Sequence, residues 1–103
     1  VKRIYIAGPM TGLPDLNFPA FHAEAARLRA LGFEVANPAE INPDHGTPWT
    51  ECMFRDLREL TECHGIVMLP GWEASPGASI ERLWAIRTGL RLLAAGEQVE
   101  VCA

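Results

Sequence analysis

The chain has 103 residues, 49% hydrophobic and 21% charged, with a formal net charge of −4. That length fits one domain spanning 1–103, and the composition is that of a globular protein, which excludes a disordered chain. The acidic balance argues against wrapping a nucleic-acid polymer, which needs a basic face, although local backbone N–H groups can still hold one phosphate.

Small size makes oligomerisation a natural source of stability, so a homo-oligomer is expected. Cys52, Cys63 and Cys102 show no CxxC spacing, and the first two fall near opposite ends of one expected helix, too far apart to bridge. Such unpaired thiols imply a reducing compartment. No apolar run approaches the roughly 18 residues of a membrane span, and no signal segment is recognisable. A cytoplasmic protein with no membrane partner is the expectation.

In chain order, Lys2 to Ala7 is a short β-branched and aromatic run, a buried strand broken by Gly8-Pro9. Residues 8–16 hold two glycines and two prolines and form a loop. Asn17 to Leu31 follows with Phe18, Phe21, Ala25, Leu28 and Leu31 at helical spacing, Asn17 as cap and Gly32 as stop. Phe33 to Ala36 is a second strand. Residues 38–49, with three prolines and a glycine, form a second loop.

A second helix is predicted from Thr50 to about Glu62, with Met53, Phe54, Leu57 and Leu60 as its inner stripe. Gly65 to Leu69 is the most hydrophobic strand and belongs at the sheet centre. Pro70 to Pro76 is a third loop, a third helix runs from about Gly77 to Ala94, and Gln98 to Cys102 is a weaker edge strand. Strand–helix alternation of this kind gives an α/β protein with a parallel sheet. Ligands of such sheets bind beyond the carboxyl ends of the strands, here the loops after Ala7, Ala36 and Leu69.

Trp72 to Glu81 is the most informative stretch. Ser75 before Pro76 is an N-cap followed by proline at the first helical position, leaving backbone N–H groups at the rim. Ser75 is either a plain cap or part of an anion site. Glu81 is either an acid placed favourably against the helix dipole or a functional carboxylate. Asp56 borders the inner stripe of its helix, as a solvated flank residue or an acid facing a site. Tyr5 is core packing with a polar tip.

Trp49 and Trp72 sit in rim loops as loop anchors or platforms for a base. His22, His45 and His64 have no carboxylate or cysteine at metal-ligand spacing, so no metal is expected. Gly8-Pro9-Met10-Thr11-Gly12 is neither a dinucleotide fingerprint nor a triphosphate loop, and no cofactor is implied.

Taken in order, Ile4-Tyr5-Ile6-Ala7-Gly8-Pro9 closing strand one, Asp56-Leu57 before the central strand, and Ser75-x-Gly77-x-Ser79-x-Glu81 opening a helix resemble one superfamily. It contains the nucleoside 2-deoxyribosyltransferases and the deoxynucleoside 5′-monophosphate N-glycosidases. The likeness covers nearly the whole chain. It is closer still to a small DUF4406-like branch of short proteins, often found in phages and prophages, in which YIAGPMTG, LNFPAF and PGWEAS-x-GA are typical.

The resemblance implies a three-layer, Rossmann-like or flavodoxin-like fold with a parallel sheet of four to five strands flanked by helices. It makes Glu81 the nucleophile at the anomeric carbon, Tyr5 the group that orients it, and Asp56 an acid able to protonate the departing base. Ser75 falls where monophosphate hydrolases direct a serine toward the 5′-phosphate, which tilts the substrate from nucleoside to nucleotide. Gly77, Ser79, Gly8, Pro9, Met10 and Trp72 complete the implied substrate site, with Ser79 where glycine is commoner.

Better-studied members complete the pocket with a C-terminal segment, often a neighbouring subunit's. Nothing up to Ala103 matches it, and a homo-oligomer is one source of such groups. The chemistry is coherent, since a carboxylate captures the charge developing on the sugar while a second acid assists the leaving base. Water then gives hydrolysis, and a second base gives transfer. A non-catalytic nucleotide-binding or signalling module on the same fold is the alternative.

Overall fold

Tyr5 and Ile66 lie side by side at the middle of a parallel sheet, both fully buried. The computed structural model describes residues 2–96. Its strands are β1 (Arg3–Ala7), β2 (Glu34–Ala36), β3 (Gly65–Met68) and β4 (Arg91–Ala94), ordered β2-β1-β3-β4. Every neighbouring pair is parallel. The helices are α1 (Phe18–Ala30), a single turn α2 (Pro38–Ile41), α3 (Trp49–Leu60) and α4 (Pro76–Thr88).

Strand alternation sends Ile4, Ile6 and Val67 to one face, where Phe21, Ala25 and Leu28 of α1 cover them. Tyr5, Ala7, Ile66 and Met68 point the other way, against Leu60 of α3 and Ala78 and Ala85 of α4. The result is the expected three-layer α/β fold. Strand order reverses between β1 and β3, so the ligand-binding crevice of such a sheet lies beyond Ala7 and Met68.

Several expected boundaries are corrected. α4 stops at Thr88 and does not run on to Ala94, because Gly89 turns left-handed at φ +81°. Gly89 N–H then bonds the Ile86 carbonyl and Leu90 N–H the Ala85 carbonyl at 2.9 Å, the six-to-one closure typical of a glycine-stopped helix. The chain re-enters the sheet as β4, so within the described residues the edge beside β3 is formed by 91–94. The strand expected at 98–102 lies outside the described residues. Gly32, as expected, stops α1 by the same device, with Phe33 N–H on the Leu28 carbonyl.

Asn17 stands at the N-cap position of α1 but does not cap it. Its backbone is left-handed and its side chain donates instead to the Pro9 carbonyl at 3.0 Å. Leu31, expected on the inner stripe, is exposed at the helix end. The loop expected over 38–49 contains α2, capped by the buried Asn37, whose Oδ1 accepts the Ala39 N–H. Phe54 is 76% exposed, because the face of α3 that meets the sheet runs through Met53, Asp56 and Leu60. Phe54 lies about 100° around the helix from Met53.

Candidate active site

Ser75 Oγ accepts the Ala78 N–H at 3.2 Å, and Pro76 opens α4. The side of α4 turned toward the protein carries only small residues and one acid: Gly77, Ala78, Glu81 and Ala85 are its buried positions. Small side chains let α4 approach α3 closely, and a Cβ on Gly77 would stand 3.2 Å from the Met53 sulfur. Glu81 is thereby carried under the sheet's end, where the Tyr5 hydroxyl donates to its Oε2 at 2.5 Å. Asp56 arrives from α3, and its Oδ1 accepts the Asn42 amide at 2.8 Å.

All three acidic groups are buried, with Glu81 only 4% and Asp56 7% exposed. Burial pushes Glu81 up to about 8; the Tyr5 hydrogen bond opposes that rise and the nearby Asp56 charge adds to it. Burial likewise raises Asp56 to about 6, against the pull of Asn42, Tyr5 and Arg55. The Tyr5 hydroxyl is held well above its ordinary value by burial and by both carboxylates. Two interacting acids share their protons as a unit. At neutral pH the site holds one proton, chiefly on Glu81, beside an ionised Asp56. Among the described residues Glu81 makes no ion pair, since Arg55 pairs with Glu51 and Arg82 lies 4.7 Å above the Trp72 ring.

A cavity of about 280 Å³ opens over these groups, at the small end of small-molecule sites. Of the residues singled out in the sequence, Glu81, Asp56, Ser75, Gly77, Gly8 and Met10 line it. Tyr5 is fully buried and stands behind the wall, hydrogen-bonded to Glu81. Pro9, Ser79 and Trp72 are not on the wall: Pro9 holds the Asn17 amide, Ser79 N–H bonds back to the Ser75 carbonyl, and Trp72 packs beneath Arg82. Glu73 is exposed.

His45, Thr47, Cys52 and Met53, to which the sequence assigned no place in the site, also line the cavity. Trp49, offered by the sequence as a loop anchor or a platform for a base, lines it too, half-exposed at the mouth. It opens α3, where the sequence had placed it at the end of the rim loop. The wall carries two carboxyl groups and, among the described residues, no lysine or arginine.

Comparisons with known proteins agree with this architecture. No curated protein matches the sequence significantly. Among solved structures, a 2-deoxyribosyltransferase from the psychrotolerant bacterium Bacillus psychrosaccharolyticus superposes with a TM-score of 0.70 at 20% identity. The match covers 95% of this chain and 77% of that one, and at such identity it establishes a shared fold. A family model described as Domain of unknown function (DUF4406) matches residues 2–94, a span that takes in every strand and helix building the cavity, and the chain belongs to that family.

Proposed function

We propose that the protein cleaves the N-glycosidic bond of a (deoxy)nucleoside 5′-monophosphate, with Glu81 as nucleophile and Asp56 as acid. One observation carries this reading: a buried carboxyl gripped by Tyr5 faces the same cavity as a second buried carboxyl. Glu81 Oε attacks the anomeric carbon, the bond to the base nitrogen breaks, and its electron pair leaves with the base, which takes a proton from Asp56. Water then attacks the same carbon, loses its proton to Asp56 and frees Glu81; a second base in place of water gives transfer.

This chemistry needs Glu81 ionised and Asp56 protonated, the reverse of the resting arrangement. The active form is a minor tautomer of the singly protonated pair. Base release is therefore expected to follow a bell in kcat/KM, with limbs near 6 and 8 and a maximum near pH 7, measured by initial rates across pH 5–9. A profile rising steadily through pH 9 would contradict the pairing.

The helix opening supports a phosphate only modestly. The Ser75 hydroxyl already accepts the Ala78 N–H, which leaves the Gly77 N–H, lacking an intrahelical partner, as the nearest backbone donor. Two carboxyls on a wall without lysine or arginine favour the second reading, an uncharged nucleoside. Incubation with a panel of nucleotides and nucleosides, with chromatography for free base, separates the two. Release from a monophosphate that Ser75→Ala weakens supports the first, and release from nucleosides alone supports the second. Tight binding with no turnover across the panel makes the protein a nucleotide-binding module.

Trp49 is the ring best placed at the mouth to stack on a base. Trp49→Ala is expected to raise KM about tenfold with little change in kcat, since stacking contributes about 1–3 kcal/mol per base. Because the ring is 51% exposed, the melting temperature should hardly move. An unchanged KM would remove Trp49 from the site.

A further inference from the structure

Asn42 closes the single-turn helix α2 and is buried at 6% exposure. Its amide nitrogen donates to Asp56 Oδ1 at 2.8 Å and reaches the Pro38 carbonyl at 3.5 Å. On the other side, its amide oxygen faces Arg55 Nη1 at 3.5 Å. A guanidinium has donors and no acceptor, so Arg55 fixes which way the amide points. With the amide reversed, an NH2 would face a cation and an oxygen would face a carboxyl oxygen.

We propose that Asn42 is the positioning residue of the candidate acid Asp56, and that Arg55 keeps its amide turned as a donor toward that carboxyl. The proposal rests on the reading of Asp56 as the acid of the reaction. Because Oδ1 receives the amide N–H, it serves as an acceptor, and the proton that Asp56 carries resides on Oδ2. Asn42 thus selects the oxygen that gives up the proton and stops the carboxyl from rotating. It also favours the ionised form, so an acid buried beside another acid still gives up its proton near neutrality.

The groups that face Asp56 come from every neighbouring element. Tyr5 reaches it from β1, Glu81 on α4 feels its charge, and Arg55 and Cys52 lie on its own helix. Of these, Tyr5 is shared with Glu81, and one hydroxyl hydrogen cannot serve both carboxylates at once. Asn42 is the donor devoted to Asp56.

The test is a carbon-13 carboxyl titration of the full chain by NMR, with Asp56 assigned through Asp56→Asn. Asn42→Ala is expected to move the Asp56 midpoint up, by a roughly three- to tenfold gain in proton affinity, and to move Glu81 less. An unmoved Asp56 midpoint in folded Asn42→Ala overturns the proposal. Should that variant not fold, Arg55→Met on the exposed side of the chain of contacts carries the test. It should raise the Asp56 midpoint, whereas an unmoved one overturns the role of Arg55 and of the amide it orients.

A double variant separates direct charge from positioning. If Arg55 works through Asn42, its replacement shifts Asp56 less in the Asn42→Ala background than in the wild type; equal shifts overturn the linkage. None of these readouts requires turnover. A titration shift in a protein that releases no base would sustain the positioning and overturn the glycosidase reading. With base release present, the limb of the pH profile near 6 should move with the titration.

Discussion

Glu81→Gln is expected to lower base release about a thousandfold or more while raising the melting temperature above neutral pH. The amide cannot attack an anomeric carbon, and losing a nucleophile commonly costs factors of this size. Shape is retained, since the glutamine oxygen can still accept from Tyr5. The stability gain follows from proton linkage. Folded Glu81 titrates at about 8, against an ordinary 4.5. Between those values the native chain binds a proton that the unfolded chain has released, so stability falls as pH rises, by up to about 1.4 kcal/mol per unit.

The loss is absent below the unfolded value and complete above about 8. Asp56, raised from 3.8 to about 6, adds a loss of the same sign at lower pH. Glutamine removes the Glu81 share, on the order of 4 kcal/mol at pH 8. Thermal denaturation of both proteins at pH 5 to 9 checks this: the curves should diverge with rising pH. Parallel curves would mean that Glu81 is not a buried high-pKa carboxyl, and the case for the site would go with it.

Gly8→Ala is expected to destabilise the fold by about 3 kcal/mol, at the upper end of overpacking costs. Gly8 follows β1, and a Cβ there would stand 2.7 Å from the Leu69 Cβ, with Leu69 itself buried. The obstacle is no flexible side-chain tip. Cβ is fixed to the backbone following β3, so one of the two central strands has to shift. Gly8 also lines the cavity, one residue from the sheet end that presents Tyr5 and Ala7. The melting temperature should drop by about 10–20 °C in a chain of this size, and the part that still folds should bind substrate poorly. A loss below about 1 kcal/mol would show that the strand ends are free to separate.

Much of the architecture was legible because the strands are short apolar runs bounded by glycine and proline, and α1 carries a clean stripe. Asp56 was legible as an acid bordering an apolar stripe and Glu81 as an acid early in its helix, given a role by the resemblance, although their burial beside Tyr5 belongs to the tertiary fold. The end of α4 was not. Leu90-Arg91-Leu92-Leu93-Ala94 has strong helical propensity, and only the left-handed turn at Gly89 sends it into the sheet. Phe54 misled because its apolarity mimics an inward position that Asp56 in fact shares with Met53 and Leu60. Asn42 gave no local signal, since its role depends on α2 folding back against α3, a contact between residues 14 apart.

The pairing of β1 with β3 has a consequence for how the molecule comes into being. The innermost ladder joins Ile4 to Gly65 and Tyr5 to Ile66, and the bond from Tyr5 to Glu81 spans 76 residues. On a ribosome, β1 emerges first and has β2 as its one partner strand until β3 has cleared the exit tunnel. Glu81 meets Tyr5 later still, when α4 has docked. A nascent chain therefore carries its hydrophobic β1 half-partnered until β3 is made, and the cavity is not assembled until nearly all of the described fold is in place.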